Sequence, residues 1–301
     1  MAFPARHRVR ATRARSFAAV LGGVTVTAGA LEVQGCRLAF HVEGAGPPIV
    51  FIQGVGVCGR GWTPQVSELR ARFACLHFDN RGMGSSQPAG RPITVEQMAD
   101  DALALMSHSG WESAHIVGHS LGGPVALDLA LRHAGRVRSL SLLCTIARGA
   151  DATRLSWRML SIGFRSRIGP RRARRRAFME IVMPSGAVPD SEADRVAGEL
   201  AKLFGHDLAD QPPIAMPQLR ALRRYDATAR LPRLAGIPTL VLSAAYDPIA
   251  PPRFGRALAA SIPGARFVEF PDAAHGLPIQ HAAAVNALLA EHFDHVESSR
   301  V

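Results

Sequence analysis

The stretch that decides the fold reads Ile116-Val117-Gly118-His119-Ser120-Leu121-Gly122-Gly123. A short apolar run changes here into the pattern Gly-x-Ser-x-Gly, which is typical of a sharp turn from a strand into a helix. Such a turn forces the central residue into a strained backbone conformation and leaves room only for glycine on either side of it. We therefore predict that the Ser120 hydroxyl stands above the edge of a sheet, where it can act as a nucleophile.

The residues on both sides of this turn have the required character. Residues 114–117 are apolar and β-branched, as in a short buried strand. After the turn, apolar residues recur at helical spacing, at Val125, Ala126, Leu129 and Ala130. Pro124 falls in the first helical turn, where its missing N–H costs nothing. Strand, turn and helix thus follow one another in the expected order.

The size and composition of the chain predict a large globular core. The 301 residues are 48% hydrophobic, and no apolar run approaches the roughly 20 residues that span a bilayer. The four cysteines show neither CxxC spacing nor the spacing of a disulfide framework: Cys36, Cys58, Cys75 and Cys144. We therefore expect buried thiols and a cytoplasmic protein without a membrane span.

The net charge of +11 is concentrated in two stretches. Residues 1–16 carry five arginines and no acid, and residues 148–180 carry ten arginines and two acids. The remainder of the chain is nearly neutral, and neither stretch has a recognition motif or interleaved aromatic residues. Specific nucleic-acid binding is therefore the weakest of the functional hypotheses, although sequence-independent binding that depends on salt would revive it.

Residues 1–30 allow two interpretations. Positive charge, a diluted apolar stretch and small residues follow in the order of an export signal. Glycines and threonines interrupt the apolar part, however, and no twin-arginine pair is present. We therefore favour a basic, disordered extension, with export through this segment as the alternative.

The remaining chain predicts an α/β fold with a mostly parallel, doubly wound sheet and an inserted helical cap. Strands are expected at residues 31–33, 37–42, 48–53, 74–78, 114–117, 137–144, 238–243 and 266–270, and helices at residues 95–110, 125–134 and 282–293. Between the predicted strands at residues 137–144 and 238–243, about eighty residues show helical periodicity only. We predict a core of residues 31–146 and 232–296 and a cap of residues 147–231, which we call the cap segment.

A serine nucleophile needs a histidine base and a buried acid that orients the base. His275 follows the last predicted strand, whereas His281, His292 and His295 fall on or beside the final helix, where exposure is expected. Asp247 follows the strand at residues 238–243 and is the favoured acid. The alternatives are Asp272, three residues from the histidine and better suited to bracing its own turn, and Asp226, in a helical stretch.

The oxyanion of an acyl-transfer reaction needs two backbone N–H donors. Leu121, directly after Ser120, offers one, and Val55, in the loop after the strand at residues 48–53, offers the other.

Residues 79–86 lack the features of a Walker A loop and of a GxGxxG site, and we interpret them as a braced turn. We interpret His119 as a packed histidine. No pattern of metal ligands is present, so neither cofactor nor metal is expected.

Taken together, these residues resemble the α/β-hydrolase family, in the branch of small capped serine hydrolases that includes 3-oxoadipate enol-lactonases, haloperoxidase-like esterases and carbon–carbon bond hydrolases. The resemblance covers residues 31–293 and is carried by residues 118–123, 79–85, 246–248 and His275. Members of the family usually have His-Gly where this chain has Gln53-Gly54. A serine at position 120, where epoxide hydrolases and haloalkane dehalogenases have aspartate, argues against those two activities.

The resemblance implies hydrolysis of a carboxylic ester or lactone of a small molecule through an acyl-enzyme. Carbon–carbon hydrolysis of a dioxo acid, and a non-catalytic binding protein on the same fold, remain as alternatives. The cap is basic, with Arg171, Arg172, Arg174, Arg175 and Arg176 too dense for one helical face. Most of these arginines are expected at the outer surface, and the second hypothesis is that one or two of them bind an anionic substrate.

Overall fold

A nine-stranded sheet runs through the computed structural model, which describes residues 12–21, 24–90, 93–153 and 157–300. The strands are β1 (Thr12–Leu21), β2 (Val24–Val33), β3 (Cys36–Glu43), β4 (Pro48–Ile52), β5 (Ala74–Phe78), β6 (Ala114–His119), β7 (Val137–Leu143), β8 (Thr239–Ala244) and β9 (Arg266–Phe270). Their order in the sheet is β1-β2-β3-β5-β4-β6-β7-β8-β9. Strands β4 to β9 are parallel, and β1 to β3 form an antiparallel extension that joins at β5.

Helices cover both faces of the parallel part of the sheet. They are α1 (Thr63–Leu69), α2 (Val95–His108), α3 (Gly122–Arg132), α4 (Trp157–Arg165), α5 (Arg171–Val182), α6 (Ala193–Phe204), α7 (Ala215–Arg224), α8 (Pro252–Ser261), α9 (Leu277–Gln280) and α10 (Ala282–Ser298). Apolar residues of α2, α3 and α8 pack in one core, and those of α1 and α10 pack in a second. The strands between them are buried on both sides, which explains why every residue of β4 and β5 is buried and why both strands are mainly apolar rather than alternating. The predicted doubly wound α/β fold is confirmed.

The amino-terminal part differs from the expectation of a disordered extension at residues 1–30. The structure includes β1 and β2 in the sheet, and β2 pairs with β3 from Val26 opposite Glu43 to Val33 opposite Cys36. The alternation Val24-Thr25-Val26-Thr27 is a strand signal that composition had obscured. Residues 1–11 and 22–23, which belong to the same prediction, lie outside the described residues.

The segment between β7 and β8 contains α4 to α7 and, within its described residues, no strand of the sheet. This arrangement agrees with the helical character predicted for the cap segment. In the described part of the chain, no helix combines the length and the apolar character that crossing a membrane would require.

The loop after β5 is a braced turn, as the sequence indicated. The carboxylate of Asp79 accepts hydrogen bonds from the N–H groups of Gly59 and Ser85. Arg81, which is fully buried, donates two hydrogen bonds to the carboxylate of Asp101 on α2, at 2.6 and 2.5 Å. This buried ion pair ties the loop to the helix beneath it.

The sheet order determines which loops meet at its carboxyl edge. Ile52, at the end of β4, pairs with Gly118 in β6, and Leu143, at the end of β7, pairs with both His119 and Leu242. The loops after β4, β6, β7 and β8 therefore leave the sheet side by side. In parallel sheets this edge is where ligands bind.

Candidate active site

Ser120 occupies a strained turn between β6 and α3. Its φ angle is +53°, in the left-handed region that non-glycine residues rarely adopt. A Cβ atom on Gly118 would lie 2.2 Å from the Gly122 carbonyl oxygen, and one on Gly122 would lie 2.0 Å from the Ile52 carbonyl oxygen. Glycine is therefore required on both sides of the serine because neighbouring backbone passes so close. Thr145 helps to hold the turn by donating its hydroxyl hydrogen to the Ser120 carbonyl at 2.6 Å.

His275 and Asp247 form a buried hydrogen-bonded pair beside this turn. The Nδ1 of His275 donates to the Asp247 Oδ2 at 2.8 Å, and both residues are less than a tenth exposed. The other carboxylate oxygen accepts the N–H groups of Ile249 and Ala250, each at 2.8 Å. Burial opposes ionisation of Asp247, but His275 and these two donors outweigh burial and hold the pKa of the carboxyl below its ordinary value. An ionised Asp247 keeps the proton on Nδ1, which leaves Nε2 of His275 as a proton acceptor.

The residue next to Ser120 contacts the same histidine. His119 donates its Nε2 hydrogen to the carbonyl oxygen of His275 at 2.8 Å, and the two rings lie 4.9 Å apart. Burial lowers the pKa of His119 to about 3, so its ring is neutral and serves as a hydrogen-bond donor. The structure therefore brings the loops of Ser120, Asp247 and His275 to one place.

The loop of residues 53–57, which we call the β4 loop, passes close to Ser120. A Cβ atom on Gly54 would lie 3.0 Å from the Ser120 Cβ, so a larger residue here would push against the serine. Gln53 is buried, and its side-chain oxygen accepts the N–H of Gly54 at 3.0 Å. Val55 follows on this loop, and Leu121 lies at the start of α3, where backbone N–H groups have no helical partner. Both predicted oxyanion donors thus lie on backbone that adjoins the serine.

Two residues of the cap segment hold the β4 loop, and sequence reasoning missed both. Gln218 on α7 is fully buried, and its Oε1 accepts the N–H of Gly56 at 2.9 Å. His206 donates its Nε2 hydrogen to the Gly56 carbonyl at 2.9 Å. Gly56 itself has a φ angle of +69°. A signal for Gln218 does exist in the sequence, because it interrupts the apolar face of α7 formed by Ala215, Ala221 and Leu222.

The cap segment also contacts the histidine loop. The N–H groups of His275 and Gly276 donate to the carbonyl oxygens of Ile181 and Val182, at 3.3 and 2.9 Å. A Cβ atom on Gly276 would lie 2.4 Å from the Val182 oxygen, so glycine permits this close approach. The end of α5 is therefore joined by hydrogen bonds to the loop that carries His275.

The alternative acids do not reach His275. Asp272 is exposed and lies 3.4 Å from the Nε2 of His281. Asp226 accepts hydrogen bonds from the backbone and side chain of Thr228. Among the described residues, no group of three or more histidine, cysteine or acidic side chains is arranged to hold a metal ion.

Most arginines of α5 are paired with acids of the cap segment rather than directed to the site. Arg171 and Arg175 pair with Asp207, Arg171 also pairs with Asp210, Arg172 with Asp194, and Arg176 with Asp190. Most of these side chains are exposed, as expected for an outer surface, whereas Arg175 and Asp207 are half-buried. The geometry therefore gives no support to the hypothesis that these four arginines bind an anionic substrate.

Comparison with known proteins agrees with this architecture. The chain is 29% identical to a protein of Azorhizobium caulinodans named carbamate hydrolase RutD, over 84% of this chain and 93% of that protein. It is 31% identical to a protein of Mycobacterium tuberculosis named non-heme bromoperoxidase BpoC, over 87% of this chain and 99% of that protein. The crystal structure of the enol-lactonase from Burkholderia xenovorans superimposes with a TM-score of 0.71 at 28% identity, covering 86% of this chain and 97% of that chain.

The family assignment rests on a match that covers most of the chain. Residues 47–282 match the family described as having the alpha/beta hydrolase fold, and this range contains Ser120, Asp247 and His275. The sheet order, the turn at Ser120 and the helical segment between β7 and β8 are consistent with that match. The chain therefore belongs to the α/β-hydrolase fold family.

Proposed function

We propose that this hydrolase is a serine hydrolase that cleaves a carboxylic ester or lactone of a small molecule through an acyl-enzyme intermediate. The observation that carries the proposal is the buried pair of His275 and Asp247 beside a serine in a strained turn. In this proposal residues 31–146 and 232–296 form the catalytic core, and residues 147–231 form a cap over the site.

In the first half of the reaction, the Ser120 oxygen attacks the carbonyl carbon of the substrate. Nε2 of His275 takes the hydroxyl proton, and the charge on the imidazolium is stabilised by Asp247. The carbonyl oxygen becomes an oxyanion, which accepts hydrogen bonds from the N–H groups of Val55 and Leu121. The partial positive charge at the start of α3 acts in the same direction.

The tetrahedral intermediate then collapses, the bond to the leaving oxygen breaks, and the acyl-enzyme is formed. His275 gives its proton to that oxygen, which leaves as an alcohol from an ester and stays attached to the acyl group from a lactone. Water then attacks the acyl-enzyme, with His275 again accepting the proton. The tetrahedral intermediate that forms collapses, His275 returns the proton to the Ser120 oxygen, and the carboxylic acid is released.

The relatives support this choice of bond. The names of the Burkholderia protein and the Azorhizobium protein describe an enol-lactonase and a carbamate hydrolase, and in both the cleaved bond joins a carbonyl carbon to a heteroatom. An ester or lactone requires nothing beyond the nucleophile, base and oxyanion donors proposed here. The size and charge of the acyl group are to be found by experiment.

A fluorophosphonate probe and a substrate panel test the proposal. We expect the probe to label the wild-type protein covalently and the wild-type protein to hydrolyse acyl esters or lactones. In Ser120→Ala the labelling should disappear, and kcat for hydrolysis should fall by about 10⁴-fold or more. Ser261→Ala, at a half-buried serine at the end of α8, is the matched control and should behave as wild type.

Two results would replace the proposal with one of its alternatives. Hydrolysis of dioxo acids without hydrolysis of any ester or lactone would indicate carbon–carbon cleavage. A folded wild-type protein that neither reacts with the probe nor turns over any substrate, but binds members of the panel, would indicate a non-catalytic binding protein.

A further inference from the structure

Helix α4 presents an apolar stripe to solvent. Trp157, Leu160, Phe164 and Ile168 are 87%, 47%, 64% and 56% exposed. Their spacing of three, four and four residues puts them on one side of the helix, and the N–H of Ile168 donates to the Phe164 carbonyl, which extends the helical geometry to Ile168. Four large apolar side chains in one exposed row indicate an interaction surface, whereas single exposed apolar side chains are common on protein surfaces.

The stripe is not the face by which α4 packs on the protein. That face lies on the opposite side and includes Ile162, which is fully buried, and Ser166, which is 4% exposed. The helix is therefore anchored by a narrow inner face, and its larger apolar side chains point away from the protein. This orientation is the reverse of an ordinary surface helix, whose outer face is polar.

Arginines flank the stripe on both sides. Arg165 follows Phe164 by one position and Arg167 precedes Ile168 by one, so that each lies about 100° around the helix from that neighbour, on opposite sides of the stripe. Arg165 donates two hydrogen bonds to Glu180 of α5, at 2.7 and 2.8 Å. Arg167 donates to the Gly163 carbonyl at 2.9 Å and has no ion-pair partner among the described residues.

The surrounding surface is also cationic. The cap segment, residues 147–231, contains fifteen arginines, one lysine and nine acidic residues, a net charge of +7. The acids that pair with α5 reduce the positive charge there but do not reverse it. An apolar row with cationic flanks complements a surface that is apolar inside and anionic outside, which is the structure of an anionic membrane leaflet.

A second copy of the chain fits this surface less well. The exposed parts of the four side chains amount to on the order of 500 Å², whereas a stable protein–protein interface buries about 800 Å² on each partner. A symmetric contact through α4 would also bring Arg167 of each copy towards the same cationic helix of the other copy. The charge and the area therefore favour lipid over self-association.

We propose that α4 is an interfacial membrane-binding helix, which inserts Trp157, Leu160, Phe164 and Ile168 among the lipids of an anionic surface while Arg167 contacts the headgroups. Binding of this kind lies in the plane of the membrane and involves no spanning segment. It does not depend on the chemistry of Ser120, so it can be tested apart from the proposed function.

Trp157 supplies an intrinsic reporter of binding. Trp62 is fully buried and Trp111 is half-buried, so Trp157 is the tryptophan that lipid contact changes most. The test uses the Ser120→Ala protein with vesicles of phosphatidylcholine alone, and with vesicles in which about a third of the lipid is phosphatidylglycerol. We expect a saturable blue shift of the emission and co-sedimentation with the anionic vesicles, both weakened by salt.

Variants on the stripe identify the surface. Phe164→Glu and, as a second variant, Leu160→Glu should each weaken partitioning to anionic vesicles by about tenfold or more, because each replaces an apolar side chain that inserts into the lipid by a negative charge that the anionic lipid repels. Met216→Glu is the matched control: it places the same charge on a 49% exposed apolar residue of α7 and should leave partitioning within about twofold of wild type. Far-UV circular dichroism confirms that each variant is folded.

Three results would overturn the proposal. The first is absence of binding to the anionic vesicles. The second is binding that is equal for both stripe variants, the control and wild type. The third is a dimer in sedimentation that dissociates in Phe164→Glu without any lipid binding, which would identify a second copy of the chain as the partner of α4.

Discussion

Replacing Gln218 by methionine tests whether the cap segment positions the β4 loop for catalysis. Methionine has a similar volume but no hydrogen-bond acceptor of comparable strength, so the change removes the 2.9 Å bond to the Gly56 N–H with little loss of packing. The bond is buried, and an unsatisfied buried N–H costs about 1–3 kcal/mol. The loop can avoid this cost by moving, and Val55, the neighbour of Gly56, would move with it.

The size of the effect on catalysis follows from that cost. Because 1.36 kcal/mol corresponds to a tenfold change in rate, a penalty of about 1–3 kcal/mol corresponds to a decrease in kcat of about 5-fold to 150-fold. This range lies at or below the about 10²–10³-fold loss seen when one oxyanion donor is removed outright. KM should change little, because the oxyanion forms only after the substrate has bound.

The assay measures kcat and KM on the ester that the wild-type protein hydrolyses fastest, together with thermal unfolding. Gln97→Met is the matched control, because Gln97 is a buried helical glutamine that donates to Asp101 at 3.2 Å and lies on α2, outside the β4 loop. It should lose stability without loss of kcat. If Gln218→Met shows the same behaviour as this control, the hydrogen bond to Gly56 has no catalytic role and the reasoning is refuted.

Three further predictions concern stability, each measured by urea unfolding. Gly122→Ala should cost more than about 3 kcal/mol, because its Cβ would lie 2.0 Å from a carbonyl oxygen of β4, whereas Gly135→Ala has no atom within 4 Å and should be nearly neutral. Asp101→Asn should cost about 3–5 kcal/mol, because it leaves a buried guanidinium without its counter-charge, while Glu291→Gln in an exposed pair should cost less than about 1 kcal/mol. Glu43 accepts hydrogen bonds from His77 and Arg70. The bond from His77, helped by the bond from Arg70, outweighs burial and lowers the pKa of Glu43 from 4.5 to about 2. Its contribution to stability should therefore be present above pH 4.5 and disappear as the pH falls towards 2, so the difference between wild type and Glu43→Gln should shrink over that range.

Each of these predictions has a clear contrary result. Equal costs for the two glycine substitutions would mean that the turn relaxes around a side chain. Equal costs for the buried and exposed acids would mean that the buried pair is hydrated. A difference between wild type and Glu43→Gln that stays constant with pH would mean that the carboxylate titrates alike in the folded and unfolded chain.

The sequence by itself determined the class of fold and the local chemistry around Ser120. The turn could be recognised because its requirement is local: two glycines, a serine, a strand before and a helix after. The alternation of strands and helices fixed a parallel sheet, and a parallel sheet brings the carboxyl ends of its strands to one edge. That geometry made Asp247 and His275 candidates although they lie far from Ser120 along the chain.

Tertiary structure alone decided how distant residues contact one another. It brought His275 to Asp247 rather than to Asp272, and it brought Gln218 and His206 of the cap segment to the β4 loop. It also added β1 and β2 to the sheet, where composition had favoured an extension. Patterns of residue type record whether a position is buried or exposed, whereas the identity of a partner depends on how separate elements pack, and these side-chain contacts join residues 28, 150 and 162 positions apart.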